Sequence, residues 1–292
     1  LPTFHNATAI MSGEQSNAGE KACRPKLRVA IAGFGAIGAA VAGRLDKGID
    51  GLRLSAVSAR DRAKAERRLR EFREPVPVMA LGELAMQGDV VVECAPAAVF
   101  LDVARPTLEA GRILMPLSVG ALLAHPELVD LARERGGRIL VPTGALIGLD
   151  AVRAAAEGTI RSVKMVTRKP PKGLAGAPYL VAKGISLEGL NGPVKVFAGT
   201  AREGARGFPA NVNVAAALSL AGIGPDRTML EIWADPTLER NTHRIEVEAD
   251  SANFTMTIEN VPSDENPRTG RITALSAIAA LRGLVSPLRI GT

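Results

Sequence analysis

Apolar residues arrive as short unbroken runs in the first half of the chain and in alternation in the second, and the pattern changes near residue 148. The runs at 27–32, 52–57, 89–93, 112–115 and 138–141 are rich in Val, Ile, Leu and Ala, as strands covered on both faces require. Helical stretches at 36–45, 60–72, 97–109 and 126–135 separate them, and 75–79 reads as one more short strand. Strand and helix in alternation predict a Rossmann-type, doubly wound parallel sheet over 26–146. Beyond it, 160–168, 194–198, 229–234, 243–250 and 253–259 alternate or are rich in Ile, Val, Thr and Phe. Those strands predict a mostly antiparallel sheet, with helices at 149–157 and 211–221, in an α+β domain spanning 147–266. A strongly helical segment at 267–285, with Asn266 as its cap and Pro267 at its first position, is expected to return to the first domain. The fold class is therefore α/β, with a second α+β domain.

Composition narrows the function classes. The net charge of +6 invites a nucleic-acid reading, but Lys and Arg are spread out, and one Trp and one Tyr give little to stack on bases. Attraction of anionic cofactors and dicarboxylates is a sufficient use for the charge. No uninterrupted apolar run reaches the roughly 18 residues of a membrane span. Cys23 and Cys94 lie in unlike settings and make neither a disulfide framework nor a metal site, and His5, His125 and His243 are too scattered for ligand spacing, so no metal is expected. Cys94 is expected to be a small core residue or to line a cleft. Residues 1–25 are polar and unpatterned, which predicts a disordered extension without the basic leader of a signal peptide. Met11 begins a plausible second start, and a cytoplasmic protein is expected.

The stretch Gly33-Phe34-Gly35-Ala36-Ile37-Gly38 follows the first strand and opens the first helix. A G-x-G-x-x-G in that place suits a dinucleotide. The first glycine turns tightly, the second lets the backbone approach the pyrophosphate, and the third lets helix and strand pack closely. The helix N-terminus at Ala36 and Ile37 then meets the negative charge. With 30 glycines in the chain, an ordinary Gly-rich turn is the competing explanation, which the flanking βαβ pattern disfavours. About 20 residues on, where NAD-binding proteins carry an acid for the ribose 2′-hydroxyl, this chain has Ser58 and Arg60. A hydroxyl and a guanidinium there predict acceptance of a 2′-phosphate, hence NADP as well as NAD. Two alternatives remain: Arg60 belongs to a solvated basic helix face, or Asp61 turns inward to serve NAD. The loops 94–96, 117–120 and 142–145 are expected to line the cleft at the carboxyl edge of the sheet.

In the second half, His243 stands at the mouth of a strand and can give and take a proton near neutral pH. Alone it reads more readily as a surface histidine. Thr167, Arg168, Lys169 and Asn241 are candidate partners for substrate carboxylates, against the plainer reading of a strand end with solvated charges.

These segments together carry a resemblance. The glycine loop, Pro142-Thr143-Gly144-Ala145, Val166-Thr167-Arg168-Lys169-Pro170-Pro171, Phe208-Pro209-Ala210-Asn211-Val212-Asn213, Arg240-Asn241-Thr242-His243 and Asn266-Pro267-Arg268-Thr269, in that order, resemble the L-aspartate dehydrogenase family over about 27–285. The resemblance implies NAD(P)-dependent oxidative deamination of L-aspartate to iminoaspartate. That product hydrolyses to oxaloacetate and ammonia or feeds NAD biosynthesis. It also implies a homodimer, with His243 as the active-site histidine and Ala145 and Asn213 as cofactor-binding residues. For Asn213 the plainer alternative is a helix cap, a role that Asn211 fits better. Competing readings are a dihydrodipicolinate reductase-like or homoserine dehydrogenase-like enzyme and a non-catalytic NADP-binding sensor. The first would want adjacent histidines and the second a lysine-centred site, neither of which the sequence displays.

Overall fold

The computed structural model describes residues 25–209, 212–263, 265 and 269–291. Five parallel strands form the first sheet: β1 (Leu27–Ala32), β2 (Leu52–Ser58), β3 (Val90–Glu93), β4 (Ile113–Pro116) and β5 (Arg138–Ile139), in the order β2-β1-β3-β4-β5. Apolar cores cover both of its faces, which is why its strands read as solid runs. Strand order reverses between β1 and β3, and the crevice outside their carboxyl ends is where such a sheet takes a ligand.

The second sheet contains β6 (Ile160–Lys169), β7 (Val194–Thr200), β8 (Thr228–Ala234), β9 (Thr242–Ala249) and β10 (Asn253–Glu259), in the order β10-β9-β6-β8-β7. Three of its four pairings are antiparallel and β6–β8 is parallel. One face carries Val163, Met165, Ile245 and Val247 against the helices Leu149–Ala156 and Asn213–Ala221. The other carries Lys164, Arg168, Lys195, Glu231 and Trp233, so these strands alternate in sequence.

The terminal helix Arg271–Val285 buries Ala277 and Leu281 in the core of the first sheet beside the helix Ala36–Asp46. It begins later than its composition suggests, with Gly270 at the cap position; Asn266 and Pro267 lie outside the described residues, as does the expected extension up to residue 24.

Several expectations fail locally. The expected strand at 75–79 is a single bridge, Val57 to Val78, because Pro75 and Pro77 remove ladder donors. The helix expected over 60–72 shortens to Arg62–Leu69, since the Asp61 carboxylate accepts from the Lys64 N–H (2.9 Å) and sets its start. The short helices Pro171–Leu174, Pro178–Lys183 and Ala201–Gly207 span too few residues to show an apolar period in the sequence.

Candidate active site

The glycine loop leaves β1 with Gly33 at φ +97°, a conformation that side chains disfavour, and its N–H donates to the Ser58 carbonyl (3.0 Å). A Cβ at Gly38 would overlap the Gly33 carbonyl oxygen, so helix and loop meet only because no side chain intervenes. A Cβ at Gly35 would meet nothing within 4 Å. Gly35 is thus not required by the packing of the protein itself; it leaves an open approach to the backbone. Ahead of the helix Ala36–Asp46 no side chain caps the first turn and no acid occupies it. Its free N–H groups suit a pyrophosphate, and Ala36 and Ile37 are only half-buried beside it. The loop therefore fits a dinucleotide.

Ser58 is buried at the end of β2 and Arg60 is exposed just beyond it. Asp61 is committed to its capping bond rather than turned inward, which weakens the alternative of a carboxylate for the ribose. The Cys94 thiol reaches the Gly33 carbonyl (3.5 Å), tying the loop after β3 to the glycine loop; burial and the Glu93 charge push its pKa far up, so it is no nucleophile.

Two contacts bring the second sheet to this edge. Asn213 opens its helix at the first position, with Val212 rather than an asparagine at the cap, and its Oδ1 accepts from the Gly120 N–H (3.0 Å). Asn211 lies outside the described residues. Asn260, buried at the end of β10, donates through Nδ2 to the Ala145 carbonyl (3.1 Å) and through its backbone to the Asn241 carbonyl (2.8 Å). Asn213, Ala145 and Asn241 are thereby tied to the junction of the two halves.

His243 is not a surface residue. It is the second residue of β9, 2% exposed, and its register partner on β6 is Thr167. Partners in such a pair share a face, and the Thr167 hydroxyl lies 3.2 Å from His243 Nδ1. Period two carries the same face on to Lys169, which is 6% exposed, and turns Arg168 to the opposite one. Arg168 accordingly lies over the Trp233 ring (5.4 Å) and pairs with Asp235 (3.8 Å), so the sheet separates it from His243. Burial lowers the Lys169 pKa to about 8; burial and the neighbouring Lys169 charge lower that of His243 to about 3. The histidine is neutral at physiological pH, with Thr167 fixing its ring.

Glu93 was overlooked in the sequence, although a carboxylate ending the run Val90-Val91-Val92 is itself a signal. It is fully buried and accepts from Ala95 N–H, Ser118 N–H and the Ser118 hydroxyl, each at 3.0 Å. Among the described residues no group of three or more His, Cys, Asp or Glu could hold a metal ion, and no helix is long and apolar enough to cross a membrane.

Residues 150–284 match the family model described as aspartate dehydrogenase, C-terminal, and residues 33–142 that of the homoserine dehydrogenase NAD binding domain. An L-aspartate dehydrogenase of Bradyrhizobium diazoefficiens is 59% identical over 91% of this chain and 95% of its own length. L-aspartate dehydrogenase 3 of Bordetella bronchiseptica is 57% identical over 92% and 99%. In three dimensions the crystal structure of aspartate dehydrogenase from Thermotoga maritima superposes with a TM-score of 0.67 at 23% identity, covering 91% of this chain and 99% of that one, a likeness of fold. With the glycine cradle on one sheet, the Thr167–His243 pair on the other and relatives this similar over nearly the whole chain, the protein belongs to the L-aspartate dehydrogenase family.

Proposed function

We propose that the chain oxidises L-aspartate to iminoaspartate with NAD(P), reversibly, in the crevice where the carboxyl edge of the first sheet meets Lys169, Thr167 and His243 of the second. The observation that carries this reading is the buried His243, held by Thr167 and sharing a face with Lys169, in a family member whose glycine loop has an open approach at Gly35. When bound, the nicotinamide supplies the redox step by accepting hydride from the substrate α-carbon. The residues of the chain supply position and protons. Gly33, Gly35, Gly38, Ala36 and Ile37 receive the pyrophosphate, Ser58 and Arg60 the ribose end, and Asn213 and Ala145 the opposite end.

Lys169, charged below about pH 8, anchors a substrate carboxylate, with Thr167 and Asn241 as polar partners on the same side. Arg168 is withdrawn from this role by its contacts on the far face. Two substrate carboxylates beside His243 favour the imidazolium, which raises the low pKa that burial imposes and makes the ring a competent base. His243 can then take a proton from the substrate ammonium before hydride leaves and, once water has added to the imine carbon, give one to the nitrogen of the adduct so that ammonia leaves as the carbonyl forms. Family resemblance supports a homodimer.

Initial rates at 340 nm across small amino acids, and across 2-oxo acids with ammonia, with NAD and with NADP, test the reading. Turnover with L-aspartate well above that with alanine, glutamate or homoserine is the expected result. Preference for another substrate overturns the specificity.

A further inference from the structure

Glu93 is a fully buried carboxylate to which the reading above assigns no part. It ends β3 side by side with Ala32, the last residue of β1, so it stands at the point where strand order reverses. Burying an ion is costly unless its lone pairs are met. Here each oxygen meets a backbone donor, Ala95 N–H at Oε1 and Ser118 N–H at Oε2, and the Ser118 hydroxyl lies between Oε1 (3.0 Å) and the Ala95 carbonyl (3.3 Å). On balance burial pushes the carboxyl pKa up, and these bonds oppose it in part. The order β2-β1-β3 puts Ser58, at the adenosine end, on one side of β1 and Glu93 on the other. Ser118 leads within two residues to Gly120, whose N–H holds Asn213 from the second half. Glu93 therefore belongs to the end of the crevice opposite the adenosine.

We propose that Glu93 is held there as a carboxylate and serves as an electrostatic positioning residue, favouring the oxidised, positively charged nicotinamide over the neutral reduced one. The inference rests on the cofactor orientation given under the proposed function. A unit-charge interaction across such a site, in an effective dielectric of about 20, is strong enough for a preference on the order of tenfold. The consequence is directional: a bound reduced cofactor is made a better hydride donor.

The test is the pair of dissociation constants for NADP+ and NADPH in the wild type and in Glu93→Gln, from NADPH fluorescence and its displacement by NADP+, without aspartate. The ratio of the oxidised to the reduced constant is expected to rise about tenfold in the variant. A ratio that stays put, whether or not both constants weaken together, overturns the proposal and leaves Glu93 a loop brace. Should the variant not fold, the infrared spectrum of wild type carrying 13C-labelled glutamate decides. A C=O band of a protonated buried carboxyl at neutral pH contradicts the proposal, and its absence supports it. Neither measurement contains aspartate, so these failures leave the dehydrogenase reading standing, whereas a wild type that binds neither form overturns both.

Discussion

Lys169 owes its chemistry to one step of strand geometry. A residue earlier, Arg168 faces Trp233 and solvent; a residue later the chain leaves β6, and only position 169 combines a cation with the His243 face. Its depressed pKa has a signed consequence. The ammonium is complete below about pH 8 and is lost as pH rises through that value, so affinity for an unreactive dicarboxylate such as succinate should fall across the same window. Calorimetric titration over that range checks it, and Lys169→Met should bind about tenfold more weakly below pH 8, with no such pH dependence. At the other end of the crevice, Arg60→Ala should weaken NADP about tenfold while leaving NAD within twofold, measured as separate dissociation constants. Equal losses for both cofactors would return Arg60 to the solvated helix face. Candidates at this scale were visible as residue types, but not their sidedness. The three candidates at the end of β6, Thr167, Arg168 and Lys169, are equally eligible in sequence until the register with β9 divides them, and the burial of His243 follows from that pairing rather than from its polar neighbours.

At the scale of elements, the three glycines of the first loop have separable duties. Gly38→Ala forces a Cβ onto the Gly33 carbonyl and should cost about 2 kcal/mol or more of stability, read as a lower melting temperature. Gly35→Ala meets nothing in the protein and sits at a φ of −81°, so it should leave stability unchanged while weakening the dinucleotide at least tenfold. Thermal melts with and without cofactor distinguish the two. The strands were legible because each sheet imposes its own apolar period, solid where both faces are covered and alternating where one is open. Their connections were less so. Prolines at 75 and 77 suppress a strand that apolar content suggests, and Pro171 and Pro178 each open a helix too short to show a period.

The whole molecule works as two sheets joined by a shared apolar seam, where Val119, Leu123 and Leu146 pack into the core of the second sheet, and by a set of long-range hydrogen bonds. Gly120 to Asn213, Asn260 to Ala145 and Gly144 to the Ser276 hydroxyl (3.0 Å) connect segments 93 to 132 residues apart and fix what faces the crevice. Such pairings leave no local trace in the sequence, which is why the Glu93–Ser118 brace was missed while the segments around Asn213 and His243 were identified through their family resemblance. The most direct test of the account follows deuterium from C2-deuterated L-aspartate in the wild type and in His243→Ala. Wild type should deliver the label to the reduced cofactor and release oxaloacetate and ammonia. His243→Ala should turn over at least 100-fold more slowly while binding NADPH within about threefold of wild type. An unlabelled reduced cofactor, or a variant that keeps near-normal turnover, would contradict it.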